Sequence, residues 1–169
     1  GKSTLSREIE ALVKGKGLTV ATLNLDHYYL PKNRVDASKP KNFDIPEALD
    51  QELIIQHLKQ LEAGKTVQRP TYDFQPSDRV VDGEVPFTPE DVIIVEGIFA
   101  GEYIKHLEKH TEKLKIYVQS PQVADNYTRK EARDLQERKK TEAHIKAMKK
   151  NQIGCLFQYV APHMNTSDI

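Results

Sequence analysis

Val92-Ile93-Ile94-Val95-Glu96-Gly97 is a run of four β-forming apolar residues that stops on an acid and a glycine. No polar residue alternates within it, so it predicts a central strand of a parallel sheet, buried on both faces. Working back, residues 18–25 are also rich in strand formers and run into Asp26. Polar and proline-containing sequence through Pro40 then reads as a loop. Working forward, residues 114–118 repeat the apolar theme, and Ser167-Asp168-Ile169 resembles the beginning of a further strand.

Helices are expected between these strands. Leu5, Ile9, Leu12 and Val13 follow helical spacing over residues 4–14, with Gly15 and Gly17 as terminators. Pro46 is well placed for a helix start, with Leu49, Leu53, Ile54, Leu58 and Leu61 as the buried face up to Gly64. Over residues 66–87, short β-prone pieces alternate with Pro70, Pro76, Asp82-Gly83 and Pro86, which predicts a small hairpin excursion of the kind that carries substrate contacts. Residues 122–138 and 142–159 are helix formers dense in charge, with a break at 139–141. Alternating helix and strand predicts an α/β domain on a parallel sheet with helices over both faces. Ligands in such folds bind where the strands end, and there Asp26 and Glu96 are expected to meet.

The length of 169 residues suits a single domain spanning 1–169. Lys+Arg and Asp+Glu both total 25, so no global field recruits nucleic acid or an anionic membrane, and neither is expected as a partner. Locally, residues 129–150 hold 9 basic residues against 4 acidic ones, a candidate anion site. The single cysteine, Cys155, excludes an internal disulfide or a cysteine metal cluster and fits a reducing compartment, so a cytoplasmic location is expected. There is no apolar run of membrane-spanning length, and the first residues lack the apolar core of a secretory signal. Without an initiator Met and with a strand-like ending, the sequence reads as a piece trimmed at both ends.

Gly1-Lys2-Ser3-Thr4 directly before a helix looks like the last part of a phosphate loop, G-x-x-x-x-G-K-[ST]. In such a loop Lys2 reaches the β/γ phosphates and Ser3 ligates magnesium; the competing reading is an ordinary helix start. Glu96, at the end of its strand, is positioned either to face a bound Mg²⁺ or to cap a turn. Asp26 is either a base that accepts the proton of an attacking hydroxyl or a turn cap. Arg129, Lys130, Arg133, Arg138, Lys139 and Lys140 suit a lid, about residues 129–141, that closes cations over a triphosphate. The interleaved Glu131, Asp134 and Glu137 equally suit a solvated helix with internal ion pairs. Tyr28, Tyr29, Phe43, Tyr72 and Phe74 offer faces for stacking on a planar base, or packing beneath a long loop. The six histidines show no metal-ligand spacing, and no zinc site is expected.

Taken in order, GKST, LNLDHYY, NFDIPEALD, RPTYDFQPSDR, VIIVEGIFA and RKEARDLQER resemble the uridine/cytidine kinase branch of the phosphoribulokinase-like P-loop kinases, over nearly the whole chain. The resemblance implies a P-loop NTPase-like fold, a three-layer parallel sheet flanked by helices with the hairpin excursion and a helical lid. It implies ATP-dependent phosphorylation of the 5′-hydroxyl of a pyrimidine ribonucleoside. Asp26 would be the base, with Lys2 and Arg133 assisting. Gly1, Lys2, Ser3, Thr4, Arg129 and Arg138 would hold ATP, and Ser3 and Glu96 its Mg²⁺. Tyr29, Phe43, Tyr72, Phe74, Arg79 and Ile98 would line the nucleoside pocket, with Asp44 on the ribose hydroxyls. A homotetramer is also implied.

This sequence departs from that pattern at several places. Ser77 stands where the family has a base-contacting His, and Met148 where it has a base-reading Gln. Lys130 replaces the second of two lid arginines, and the family's R-G-R reads Arg138-Lys139-Lys140. Two further readings therefore remain: a kinase of the same family acting on another nucleoside or small hydroxyl acceptor, and a catalytically silent nucleotide-binding module.

Overall fold

The structure is a computed structural model that describes residues 1–34, 42–119, 123–136, 145 and 152–169. Its centre is a pair of parallel strands, β1 (Val20–Asn24) and β6 (Val92–Glu96), in register from Val20↔Val92 to Asn24↔Glu96. Register is clamped at the strand entrances. The Asp91 carboxylate accepts from the Thr19 backbone N–H at 2.8 Å and from its hydroxyl at 2.9 Å, and the Val92 N–H donates to the Thr19 carbonyl at 3.1 Å. Helix α1 (Lys2–Gly15) packs on both strands; it starts two residues before the expected start at residue 4, with Gly1 as its cap.

After β1 the chain forms a single tight turn, Leu25–Tyr28, and returns at Tyr29↔Leu49 as an antiparallel bridge. That bridge corrects the expected helix start at Pro46. Pro46–Ala48 makes one short 3-10 turn, Leu49 is extended, and α2 (Gln51–Glu62) begins only after Asp50. The reason is long-range: the Leu30 N–H takes the Ala48 carbonyl (2.9 Å) and the Asp50 N–H takes the Tyr28 carbonyl (2.9 Å), so helical bonding cannot pass through. Within α2 the expected face is buried at Ile54, Leu58 and Leu61, together with His57.

The hairpin excursion is present as two nested antiparallel pairs. β2 (Val67–Arg69) pairs with β5 (Val85–Phe87), and inside them β3 (Tyr72–Asp73) pairs with β4 (Asp78–Arg79). Ser77 closes the inner turn in the left-handed region, φ 54°. The core joins these parts: Leu23 and Leu25 from the β1 segment, Tyr28, Ile54 from α2, Val67 and Tyr72 from the hairpins, and Phe99 and Tyr103 after β6. Short α3 (Ala100–Tyr103) follows β6, and α4 (Val123–Gln136) falls inside the first expected charged helix.

Two expectations for the sheet are revised. β6 is half-buried along its whole length, not enclosed on both faces, because only β1 pairs with it among the described residues. Residues 114–118 form no strand, yet their backbone is paired. The Tyr117 N–H donates to the Ile169 carbonyl at 2.8 Å, and the Ile169 N–H donates to the Lys115 carbonyl at 3.3 Å, the pattern of a parallel pair. Of the second expected charged helix, residues 142–144 and 146–151 lie outside the described residues. Its end widens over Leu156–Val160 and tightens to a 3-10 turn over Ala161–Thr166. No described helix is long and apolar enough to cross a membrane.

Ile54 is fully buried, so Ile54→Ala is expected to cost about 2–5 kcal/mol of stability, measured by urea denaturation. A second expectation concerns pH. Burial, helped by Arg79, holds the His57 ring below its usual pKa while its Nδ1 contacts the Tyr28 hydroxyl at 2.9 Å. The unfolded chain therefore takes up this proton first. The contribution is complete above about pH 6.5 and is lost as pH falls toward the depressed folded value. Denaturation midpoints measured between about pH 7 and pH 5 should drop less steeply in His57→Gln than in the parent.

Candidate active site

Glu96 ends β6 facing the first turns of α1. Its Oε1 accepts from Asn24 Nδ2 at 2.9 Å and lies 3.4 Å from the Ser3 hydroxyl, while Oε2 accepts from the Ser6 hydroxyl at 3.2 Å. Three side chains from two elements thus hold one carboxylate. Gly97 follows in close approach to the segment after β1: a Cβ at this position would sit 3.0 Å from Leu25 Cβ, so a larger residue would require Leu25 to shift.

Asp26 lies on the turn that follows β1, and its backbone N–H donates to Asn24 Oδ1 at 2.8 Å. Next to it, burial and the Arg69 guanidinium hold His27 below its usual pKa against the pull of Asp26. The His27 Nδ1 accepts the Tyr72 N–H at 3.3 Å and ties this turn to the hairpin.

From here an aromatic chain runs outward. Ring centroids are 5.4 Å apart for Tyr29 and Phe43, 5.5 Å for Tyr29 and Tyr72, and 5.3 Å for Tyr72 and Phe74. Tyr29 and Tyr72 are buried in the core, whereas Phe43 and Phe74 are half-buried against it. Tyr28 is wholly core, so packing accounts for it.

Asp44, beyond Phe43, is held by an unexpected partner. Lys130 Nζ from α4 contacts both carboxylate oxygens at 3.0 Å, across 86 residues of sequence. Arg129 and Arg133, one turn apart on α4, border the same space.

One cleft of about 1730 Å³ connects these groups and runs on along the open side of β6. Gly1, Lys2, Ser3, Asp26, Glu96, Ile98, Tyr29, Phe43, Asp44, Tyr72, Phe74, Arg129 and Arg133 all line it. Thr4 and Arg79 do not. The Arg79 Nε donates to the Tyr29 carbonyl at 2.9 Å, and its Nη2 reaches the Tyr28 carbonyl and the Asp50 carboxylate, both at 3.2 Å. Asp50 also holds Arg34 at 2.9 Å. Arg138, Lys139, Lys140 and Met148 lie outside the described residues.

The donors suit the chemistry expected of them. Ser3 Oγ and a Glu96 oxygen are hard ligands close together, as Mg²⁺ requires when phosphates and water complete its shell. The first turn of α1 contains no acid of its own, and Gly1, Lys2 and Ser3 at this positive dipole end line the cleft, a setting that favours phosphate. Asn24 and Ser6 are not singled out as site residues by the sequence, and Lys130, expected as a lid cation over the triphosphate, is instead found on Asp44. A signal existed for Asn24, because residues two apart in a strand share a face, and Thr22, whose hydroxyl donates to Glu10 of α1, lies on the face that meets this helix. For the pairing of Lys130 with Asp44 none existed, since it is fixed only by the docking of α4.

The sequence profile of the Phosphoribulokinase / Uridine kinase family matches residues 1–169. A uridine kinase of Macrococcus caseolyticus (strain JCSC5402) is 39% identical over 144 residues, 83% of this chain and 66% of that protein. One from Staphylococcus aureus (strain JH9) is 40% identical over 141 residues, 82% of this chain and 65% of that protein. The chain thus spans just under two thirds of the length of these curated relatives. Among solved structures, a "Possible Uridine Kinase from Bacillus stearothermophilus" aligns with a TM-score of 0.48 at 20% identity, over 57% of this chain and 54% of that one.

Arg79 tests the division between scaffold and cleft. Arg79→Ala removes the guanidinium bond to the Tyr29 carbonyl, the second donor to a Tyr28 carbonyl that keeps the Asp50 N–H, and one of the two described cations on Asp50, so it is expected to remove about 2 kcal/mol of stability in the absence of any ligand. Urea denaturation measures this directly; an unchanged midpoint would assign Arg79 to ligand binding instead.

Proposed function

Because the chain belongs to the phosphoribulokinase / uridine kinase family, we propose that it is the catalytic core of a kinase that transfers the γ-phosphoryl group of ATP to the 5′-hydroxyl of uridine or cytidine. The observation that carries this reading is the convergence of Ser3, Glu96 and the Asp26 turn at the mouth of one cleft whose other wall is aromatic.

In this proposal the triphosphate lies against the N-terminus of α1, with Lys2 beside its β and γ phosphates. Gly1 and Thr4 belong to the same phosphate-binding turn. Ser3 and Glu96 hold Mg²⁺, which supplies charge neutralisation on the transferring oxygens. The nucleoside lies on Phe43 and Phe74, with Tyr29, Tyr72 and Ile98 behind them, and Asp44 takes the ribose hydroxyls. Asp26 accepts the proton of the 5′-hydroxyl as that oxygen bonds to the γ phosphorus. The bond from the γ phosphorus to the β–γ bridging oxygen breaks, and ADP leaves with that oxygen. Arg133 stabilises charge on the phosphoryl group in flight, and Arg129 and Arg138 complete a lid over the nucleotide. Arg79 serves the pocket by fixing the backbone at Tyr28 and Tyr29. A cytoplasmic homotetramer of a longer protein completes the proposal.

A second reading keeps the mechanism and changes the acceptor. Its support is Ser77, whose hydroxyl donates to the Phe74 carbonyl at 3.3 Å in a strained left-handed turn, at the position where the family places a base-contacting His.

Asp26→Asn is expected to lower kcat by about 10²–10⁴-fold while leaving ATP affinity within about twofold, because the carboxylate acts on the acceptor. ADP release with Mg-ATP, measured across nucleosides and other small alcohols in parent and variant, tests both readings. Turnover on uridine or cytidine that the variant abolishes supports the first reading, and turnover only on another acceptor supports the second. ATP binding without turnover on any acceptor would make the chain a silent nucleotide-binding module.

A further inference from the structure

Asn24 is the last residue of β1 and the register partner of Glu96. Its single carboxamide makes two bonds of opposite sense. Oδ1 accepts the backbone N–H of Asp26 at 2.8 Å and so caps the turn that carries this carboxylate. Nδ2 donates to Glu96 Oε1 at 2.9 Å. The orientation of the amide is dictated by its partners, since a backbone N–H can only donate and a carboxylate can only accept. The planar amide therefore spans from the Glu96 carboxylate to the backbone of Asp26, 70 residues away in sequence.

Capping alone does not account for this residue. Ser, Thr or Asp accepts from a turn N–H as well as Asn does. Only an amide caps with one atom and donates to a neighbouring carboxylate with the other. The Glu96 carboxylate also receives the Ser6 hydroxyl on Oε2, so Asn24 and Ser6 hold its two oxygens from opposite sides and fix its plane.

We propose that Asn24 is a positioning residue that locks the nucleotide side of the site to the acceptor side, acting through Glu96 with its nitrogen and through the Asp26 turn with its oxygen. The inference rests on the kinase reading above for the roles of those two acids. The two halves of the amide are separable. Asn24→Ser keeps a capping oxygen and loses the donor to Glu96, whereas Asn24→Ala loses both.

The test uses the intact protein and Mn²⁺–ADP as the probe, titrated by electron paramagnetic resonance so that the readout does not depend on turnover. Asn24→Ser is expected to bind Mn²⁺–ADP about 10-fold more weakly, in the range typical for groups that orient a metal ligand, and to keep its unfolding midpoint within about 3 °C of the parent. Asn24→Ala should show the same loss of affinity and a further fall in kcat. In a Glu96→Gln background, Asn24→Ser should add nothing to the loss of affinity, because its effect runs through that carboxylate. Parent-like Mn²⁺–ADP affinity in Asn24→Ser, or full additivity with Glu96→Gln, overturns the inference and leaves the kinase reading standing. A parent protein that binds no Mn²⁺–ADP overturns both.

Discussion

Everything in the candidate site depends on the register of two parallel strands. A slip of one residue between β1 and β6 would turn alternate side chains to the opposite face and separate Asn24 from Glu96. That slip is opposed at both ends of the pair. At the entrances, Asp91 takes both hydrogen-bond donors of Thr19; at the exits, the Asn24 amide takes Glu96. Between them, Leu23 is sealed into the core. α1 crosses both strands and brings Ser3 and Ser6 to the same carboxylate, so the start of the helix and the ends of the strands form one polar cluster.

Around this centre the aromatic wall is built from segments that have little regular structure of their own. The tight turn after β1, the bridge at Tyr29 and Leu49, and the nested hairpins are held together by Arg79, which reaches two backbone carbonyls and the buried Asp50. Charge-assisted bonds of this kind are strong where water is excluded, and they leave the aromatic rings a fixed surface on which to pack. The third wall is α4, joined to the rest through Lys130 and Asp44. That contact fixes the Asp44 carboxylate from across the cleft.

The departures from the family pattern gain a physical meaning in this setting. Lys130, in place of an arginine, makes a compact contact with both oxygens of Asp44. Ser77 turns its hydroxyl back onto its own hairpin and closes a turn there.

What the sequence determined by itself was whatever depends on neighbours along the chain. The apolar periodicity of α1, the unbroken Val92–Val95 run, the Pro and Gly punctuation of the hairpins and the GKST start all carry their meaning within a few residues. The expected fold class and the convergence of Asp26, Ser3 and Glu96 follow from them. What only the tertiary structure decided was whatever depends on a partner distant in sequence. The helix expected at Pro46 begins later because Tyr28 and Leu30 use the backbone groups on either side of Leu49. Residues 114–118 pair with the end of the chain, Arg79 leaves the cleft for the backbone beneath it, and Lys130 finds Asp44 across 86 residues. Local propensity cannot encode such contacts, because a hydrogen-bond donor or charge is committed only when folding brings its acceptor within reach.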